Sequence, residues 1–427
     1  MLSSPPAAPP ISTPWARVEL PNGLVIVAVE NPTADVVAAR FFVRPGMGAE
    51  TAGRAGLTHL LTSVLTKGTA HHSALDIAHQ VESLGASLGA EANADYWALS
   101  LKSVSGDFAE LLPLAAEVLR YPTFPDAEVA REQQLTLQSL RMQQEQPFSV
   151  AYDQLRRALY GDHPYAFSSL GSPDSIAALT PDDLRQFHAT WTRPAHTVVS
   201  IAGRMPPQAL IETLAEALGD WSAPAVPFPQ LTAPAGRTPG WLVYPQDTQQ
   251  VIVMLGYLGP SVWSPDYAAI KVLSTYLGNG LSSRLFVELR EKRGLAYEVS
   301  AFYSTRQHPA AFGVYLGTAP GNTALALDSL QAEMARLCAA PLPEEELAVA
   351  KSKLLGQYAL GKQTSAQIAH LLGWYETLGL GLGFDQAFQA AVAAVTPEMA
   401  HAAACRYLRQ PWVSLVGPAG AVEPLRV

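Results

Sequence analysis

Two stretches of the chain carry polar side chains at spacings that suit catalysis. In the first, His59 is followed by Thr62 and Ser63 at three and four residues, so on a helix the three side chains share one face. A histidine at such a position can bind zinc, but neutral hydroxyls are poor zinc ligands and cannot act as a general base. The stretch therefore predicts a helix that shows a polar stripe to a cleft, with His59 as the one side chain of the stripe suited to bind a metal. Its apolar residues recur at helical spacing and are predicted to pack inward: Leu57, Leu60, Leu61, Val64 and Leu65.

The second stretch runs from Gly278 to Tyr297 and contains Arg290, seven residues before that tyrosine. An arginine at a helix end can hydrogen-bond the carbonyl groups of a peptide, and a phenol can donate to the oxyanion that develops at a scissile carbonyl. Neither group can generate a nucleophile. On composition alone, the charged run from Arg290 to Arg293 is more typical of a solvated helix end closed by Gly294, with the tyrosine ring packed in a sheet.

A repeated order of elements positions both stretches. In each half of the chain, strands lead into a helix, which is the helix of the first stretch in one half and residues 266–277, just before the second stretch, in the other. A later helix begins at a Thr-Pro pair, first Thr180-Pro181 and then Thr396-Pro397. Threonine caps a helix and proline suits its first turn, so both pairs predict helix starts. Apolar strands follow and end at Gly203 and Gly417. The pattern predicts an α+β protein of two similar domains, each a mostly antiparallel sheet packed with helices.

The predicted domain boundaries follow from length and composition. At 427 residues the chain is too long for one ordinary core, and proline-rich segments without periodicity are typical of linkers and disordered ends. The expected divisions are a disordered lead-in over 1–15, an N-terminal domain over 16–220, a linker over 221–239 and a C-terminal domain over 240–427. Within the first domain, residues 90–103 are expected to form one strand.

Composition excludes several classes of partner and compartment. The net charge is -9 and no Lys/Arg cluster occurs, which argues against nucleic acid and against an anionic membrane surface as partners. No apolar run is long enough to span a bilayer, and the first residues lack the basic and apolar regions of a signal peptide. Cys338 and Cys405 are expected to be small buried side chains, because two cysteines cannot make a disulfide framework. The expected location is cytoplasmic.

Together, the two stretches resemble the pitrilysin, or insulinase, family of zinc peptidases. The family's H-x-x-E-H helix precedes the same L-x-K-G-T ending that stands here at 65–69, and the stretch from Gly278 to Tyr297 is almost unaltered from the family's S-S-R-L-F-x-x-x-R-E-x-x-G-L-A-Y segment. The resemblance covers nearly the whole chain. It implies two similar α+β domains that form half of a clamshell. Within the family, the chain resembles the mitochondrial processing peptidase-like subfamily, and in particular the type of subunit that lacks H-x-x-E-H and keeps the Arg/Tyr pair.

The resemblance also assigns the metal positions, and most of them are degenerate. The base position is Thr62, the second ligand position is Ser63, and the third ligand, a Glu in the family, falls on Ser139. Catalytic zinc needs three protein ligands, and His59 alone does not supply them. The resemblance therefore implies no zinc in this chain, with His59 a remnant.

A peptide-binding strand is implied near the same helix. Family members bind extended peptides along an edge strand, which here corresponds to residues 90–96, with Glu91, Ala92 and Asn93 as the candidate substrate-binding residues. Main-chain pairing does not depend on particular side chains, so peptide binding can survive the loss of catalysis. An ordinary sheet edge is equally compatible with these residues.

The leading hypothesis is a non-catalytic subunit of a heterodimeric zinc peptidase. In it Arg290 and Tyr297 complete the active site of a homologous partner chain that bears H-x-x-E-H and the zinc, so metalloendopeptidase activity toward peptides is expected only with that partner. The alternative is an interaction or structural subunit without a proteolytic role, like the family members that serve as core subunits of respiratory complexes. A third hypothesis, ranked lowest, is an autonomous peptidase that joins His59 to carboxylates such as Glu91 or Glu132.

Overall fold

A computed structural model describes residues 15–234 and 237–426. The expected lead-in over 1–15 lies outside these ranges except for Trp15, which begins the first strand. Within the described ranges, no helix combines the length and the apolar character needed to cross a bilayer.

The first half of the chain contains one sheet and its helices. Its strands are β1 (Trp15–Glu19), β2 (Val25–Glu30), β3 (Val36–Val43), β4 (Ser87–Ala92), β5 (Trp97–Val104) and β6 (Thr197–Gly203). Its helices are α1 (Leu57–Val64), α2 (Ala74–Ser83), α3 (Phe108–Arg120), α4 (Asp126–Glu145), α5 (Pro147–Tyr160), α6 (Pro173–Ala178), α7 (Pro181–Trp191) and α8 (Pro207–Leu218).

The second half repeats this order. Its strands are β7 (Trp241–Pro245), β8 (Val251–Gly259), β9 (Glu298–Tyr303), β10 (Ala310–Thr318) and β11 (Trp412–Gly417). Its helices are α9 (Tyr267–Gly278), α10 (Thr323–Ala339), α11 (Glu344–Leu360), α12 (Ser365–Thr377), α13 (Phe384–Ala394), α14 (Pro397–Tyr407) and α15 (Ala419–Val422). A π-helix, Phe286–Glu291, stands where α2 stands in the first half.

The two sheets share one topology, except that the first has an additional edge strand, β1, next to β2. The strand orders are β1-β2-β6-β3-β5-β4 and β7-β11-β8-β10-β9. In each sheet one pair is parallel, β2 with β6 and β7 with β11, and the other neighbours are antiparallel. The last strand of each order, β4 or β9, lies at an edge. The predicted architecture of two similar α+β domains is therefore confirmed.

The Thr-Pro pairs begin helices in both halves. The Thr180 hydroxyl accepts a hydrogen bond from the Asp183 main-chain N–H at the start of α7, and Thr396 accepts one from Met399 at the start of α14. Each cap satisfies a main-chain donor that the first turn of a helix leaves without a partner. These helices lead into β6 and β11, whose residues are almost all buried in the middle of their sheets.

The two halves exchange one helix each. Helix α5 from the first half packs on β8 and β11 of the second sheet, and α12 from the second half packs on β3 and β6 of the first sheet. Glycines allow the close approach: a Cβ at Gly256 would lie 2.2 Å from a methyl group of Leu155, and one at Gly373 would lie 2.2 Å from the Phe42 ring. Each sheet is thus covered on one face by its own helices and on the other by a helix of the opposite half.

Three local expectations are wrong. The helix of the first stretch ends at Val64, because the chain then turns so that Gly68 bridges to Ser73. Residues 90–103 are not one strand, because the turn after Ala92 divides them between β4 and β5. The two cysteines are half-buried rather than buried.

Candidate functional site

Helix α1 is held at its start by a buried carboxylate. Both oxygens of Glu50 accept main-chain hydrogen bonds, one from Gly56 at 2.9 Å and one from Thr58 at 2.7 Å. Glu50 is 5% exposed, and burial raises its pKa to about 7, opposed by these hydrogen bonds. Sequence reasoning missed this residue, although an acidic side chain shortly before a helix start is a signal for N-terminal capping.

The hydroxyl groups in the polar stripe of α1 are hydrogen-bonded to the main chain of the same helix. The Thr62 and Ser63 hydroxyls both donate to the main-chain carbonyl of His59, each at 2.9 Å. Thr62 is only 4% exposed, so the expectation that it faces a cleft is wrong. His59 and Ser63 are half-buried. Burial lowers the pKa of His59, so its imidazole is neutral at pH 7.

The third metal position lies on a neighbouring helix. Helix α4 packs against α1, and on it Ser139 is exposed, with its hydroxyl donating to the carbonyl of Leu135 at 3.0 Å. One neutral imidazole and three hydroxyls do not fit a catalytic zinc, because the hydroxyls are neutral and already donate to carbonyl groups. Among residues 15–234 and 237–426, no group of three or more His, Cys, Asp or Glu side chains could share a metal ion.

Strand β4 presents an open edge beside α1. The main-chain N–H of Asn93 donates to the Tyr96 carbonyl at 2.8 Å. In an antiparallel pair, every second residue has its N–H and C=O directed at the partner strand, so this bond shows which residues of β4 face β5. The N–H and C=O groups of Leu88, Ala90 and Ala92 therefore point away from β5, and no hydrogen bond from another described segment reaches them. Helix α1 packs against this strand, so the degenerate metal positions and the open edge share one side of the first half.

The three candidate substrate-binding residues differ in what they present. Ala92 has free main-chain groups. The main chain of Glu91 faces β5, and its carboxylate forms an ion pair with Arg40 at 2.6 Å. Asn93 lies in the turn rather than in the strand, which corrects the expectation that residues 90–96 form one edge strand.

Arg290 and Tyr297 are both exposed on the second half. Arg290 lies on the π-helix with its guanidinium carbon 4.9 Å from the centre of the Phe286 ring. After a turn at Gly294, whose φ is +63°, the Tyr297 N–H donates to Gly317 at 2.9 Å and joins the sheet just before β9. Its side chain is 66% exposed, so the ring is not packed in the sheet. Neither polar side-chain group makes a hydrogen bond or ion pair with the part of the chain that the structure describes.

The edge strand of the second half is covered by its own helix. The main-chain N–H of Ser304 donates to the Ala311 carbonyl, so Ser304 faces β10. Because the direction alternates along the strand, the main-chain groups of Tyr303 and Ala301 point outward from β9. Lys271 of α9 donates to the Tyr303 carbonyl at 3.1 Å. At the other end of α9, a Cβ on Gly278 would lie 1.8 Å from the Ala301 nitrogen, so the helix is in direct contact with the strand there.

The turns of two hairpins bring the two regions into contact. Asp95, in the turn between β4 and β5, accepts a hydrogen bond from the Gln307 N–H in the turn between β9 and β10 at 3.4 Å, and another from the Tyr165 hydroxyl. Burial raises the pKa of Asp95, and the Tyr165 hydroxyl opposes the shift. Within the described ranges, no hydrogen bond or ion pair joins Arg290 or Tyr297 to α1, α4 or β4.

Family comparisons agree with this architecture. Residues 25–173 match the family described as insulinase (peptidase family M16), and residues 178–354 match the one described as peptidase M16 inactive domain. A protein of Streptomyces coelicolor, named an uncharacterized zinc protease, is 30% identical, and the match covers 94% of this chain and 89% of that protein. A Bacillus subtilis protein named in the same way is 27% identical over 85% of this chain and 90% of its own.

Solved structures show the same fold. The crystal structure of a peptidase M16 inactive domain from Pseudomonas fluorescens has a TM-score of 0.87 at 28% identity, covering 95% of this chain and 98% of that one. A protease from Helicobacter pylori has a TM-score of 0.87 at 22% identity, covering 95% and 99%, a likeness of fold alone. Since a relative 30% identical matches along nearly the whole of both chains, this chain belongs to the M16, or insulinase, family of peptidases.

Proposed function

We propose that this chain is the zinc-free subunit of a heterodimeric M16 metallopeptidase of the mitochondrial processing peptidase-like type. In this proposal a homologous subunit with an intact H-x-x-E-H helix binds the zinc and activates the water. This chain contributes Arg290 and Tyr297 to that active site and binds peptide. Alone it is inactive.

One contrast carries the proposal. The hydroxyls of Thr62 and Ser63, at the base and second ligand positions, both donate to the His59 carbonyl. In contrast, Arg290 and Tyr297 are exposed, and their polar side-chain groups make no hydrogen bond or ion pair with the described residues. A pair kept only for packing would be buried or satisfied within the chain. Exposed donors whose polar atoms have no hydrogen-bond partner among the described residues are what a site completed by a second chain requires.

The chemistry assigned to the pair follows from the two side chains. The Arg290 guanidinium can donate several hydrogen bonds in a fixed geometry and so can position the carbonyl groups of a bound peptide. The Tyr297 hydroxyl can donate to the oxygen that becomes negative as the scissile carbonyl is attacked. Donors of this kind accelerate the reaction because they bind the transition state better than the substrate.

Peptides are the proposed substrates, because the free main-chain groups of β4 suit an added strand of any sequence. The formal charge of -9 gives no support to a nucleic-acid or membrane partner. We also propose a cytoplasmic location, which fits the two free cysteines, since disulfides are rare in that compartment.

The test uses the complex with the zinc-bearing subunit from the same organism. We expect Tyr297→Phe to lower kcat/KM roughly 100-fold, the usual effect of removing one oxyanion donor, and Arg290→Ala to lower it by a similar factor. The zinc content of the complex should stay unchanged, because neither side chain is a ligand. Peptide hydrolysis and metal analysis of the same preparations measure both effects.

Two matched variants serve as controls. Arg293→Ala removes a neighbouring exposed arginine that donates to Ser329, and Tyr244→Phe removes an exposed phenol elsewhere on the second half. Both should leave turnover within about twofold of the native complex. Unchanged turnover in Arg290→Ala and Tyr297→Phe would reject the shared site. An assembly that is stable but hydrolyses no peptide would favour the interaction subunit instead.

A further inference from the structure

A pocket lies between helix α2 and the open edge strand β4. Its volume is about 310 Å³, and its apolar lining includes Ile77, Ala78 and Val81 of α2 together with Leu88 of β4. The remaining lining adds four polar side chains: Thr66, Lys67, Glu82 and Ser87. Ile77 and Val81 belong to the core of the first half, and Leu88 is partly buried against that core. The buried side chains of the lining, Ile77 and Val81, are apolar, whereas Glu82 and Ser87 are exposed. The pocket thus has an apolar inner part and a polar margin, and it lies beside an unpaired strand.

The geometry of a sheet connects the pocket to a peptide on β4. The main-chain groups of Leu88 point outward from β4, while its side chain lies on the face of the sheet that forms the pocket. Residues opposite each other on neighbouring strands have their side chains on the same face. A peptide residue paired opposite Leu88 must therefore direct its side chain toward the pocket.

We propose that this pocket is a specificity subsite that takes one aliphatic side chain of a peptide paired with β4. The inference rests on the proposed peptide binding and adds the class of residue selected. Leu88 lies four positions before Ala92, about 13 Å along the strand. The selected residue is thus separated by several positions from the part of the peptide that faces the end of β4 beside Asn93.

Comparison of β4 with the corresponding strand of the other half indicates that the edge of β4 is kept open for a ligand. The corresponding strand β9 is covered by α9 through Lys271 and Gly278. An uncovered edge strand invites unwanted pairing, and proteins normally block it. In β4 the free groups of Leu88 and Ala90 have no such hydrogen bond, and they adjoin a pocket whose buried side chains are apolar. This arrangement suits an extended peptide with an aliphatic residue.

The test measures binding of two labelled probes to the full chain by fluorescence anisotropy. Both are extended twelve-residue peptides of alternating Ser and Thr, with either Gly or Leu at one central position. Filling an apolar pocket with leucine should tighten binding about tenfold or more relative to glycine. In Ala78→Trp the introduced ring occupies the pocket, so the two peptides should bind with nearly equal affinity.

The matched control is Gln80→Trp, which adds the same ring at an exposed position of α2 and should keep the leucine preference. A leucine preference that persists in Ala78→Trp would show that the pocket is not the subsite. Equal binding of both peptides to the native chain would overturn the subsite while leaving peptide binding in place.

A second pair of variants separates the subsite from the proposed function. Ala90→Pro removes an outward N–H of β4 and should abolish binding of both peptides, because proline cannot donate to an added strand. Glu19→Pro removes an outward N–H of β1, at the other edge of the same sheet, and should leave binding unchanged. If neither peptide binds the native chain, the proposed peptide binding itself fails, and the subsite with it.

Discussion

The two halves of this chain use one unit, a helix beside an edge strand, in opposite ways. In the first half the free side of β4 is open, and the hydroxyls on α1 are bonded to their own helix. In the second half α9 closes β9 through Lys271 and Gly278, while Arg290 and Tyr297 extend into solvent. The first half presents main-chain groups and the second presents side chains.

The exchanged helices explain why the two halves can diverge without separating. Leu155 of α5 packs against the second sheet at Gly256, and Phe42 of the first sheet packs against Gly373 of α12. Each core is thus completed by the other half. These buried contacts hold the halves together whatever their edge strands present to solvent.

Introducing metal ligands into the first half tests whether the frame of a metal site persists there. This prediction has the largest expected effect. We expect Thr62→Glu, Ser63→His and Ser139→Glu together to give a chain that binds one zinc ion with submicromolar affinity, because three ligands would then converge with α1 and α4 already packed together. Burial lowers the pKa of His59, so its imidazole is available as a ligand at pH 7. Zinc titration by calorimetry measures the affinity.

The matched control moves the introduced histidine. Thr66→His in place of Ser63→His puts the ring beyond the last residue of α1 and outside the one-turn spacing at which two helical histidines share a metal ion, and it should abolish tight binding. A folded triple variant that binds zinc no better than the native chain would contradict the comparison, since it would mean that the frame of the metal site is lost as well as its ligands.

Adding one methyl group to each edge region would sharpen the contrast between them. Gly278→Ala should lower the free energy of unfolding by at least about 3 kcal/mol, because its Cβ would lie 1.8 Å from the Ala301 nitrogen and α9 would have to leave β9. Gly89→Ala on β4 should change it by less than about 0.5 kcal/mol, because a Cβ there meets nothing within 4 Å. Denaturant unfolding measures both, and similar values for the two would contradict the assignment of a closed and an open edge.

Much of the fold was predictable because local signals repeat. The Thr180-Pro181 and Thr396-Pro397 pairs cap helices by a purely local hydrogen bond, so their sequence suffices to place two helix starts. The exchange of α5 and α12 was not predictable, because helical spacing shows that one face of a helix is buried but not which sheet buries it. The turn after Ala92 was missed because Asn93-Ala94-Asp95-Tyr96 lies within an otherwise continuous strand-like pattern.

The site divides in the same way. The resemblance identified Arg290 and Tyr297 as candidates, but their exposure depends on how the π-helix enters β9, which no spacing rule contains. The burial of Thr62 was missed because the wide apolar face of α1 extends further around the helix than its leucines indicate. Glu50 was missed because it acts on α1 from outside the helix, across an intervening turn.

Protonation of Glu50 provides the smallest test, and it concerns how α1 is held. A glutamate titrates near pH 4.3 in an unfolded chain, whereas burial raises the pKa of Glu50 to about 7 in the folded one. Between these values the native state binds the proton more tightly, so this contribution to stability is full below about pH 4.3 and is lost as the pH rises through 7. The free energy of unfolding should therefore fall across this range by at most about 3 kcal/mol on account of Glu50.

Comparison with Glu50→Gln isolates this contribution, because the amide keeps an acceptor for Gly56 or Thr58 but cannot titrate. The free energy of unfolding of the native chain, minus that of the variant, should decrease from about pH 4.3 to about pH 7. The buried histidines contribute equally to both proteins and cancel in this difference. A flat difference for Glu50→Gln would mean that the carboxylate is as well solvated as an exposed one, and α1 would then be positioned by its packing against α4 and β4 alone.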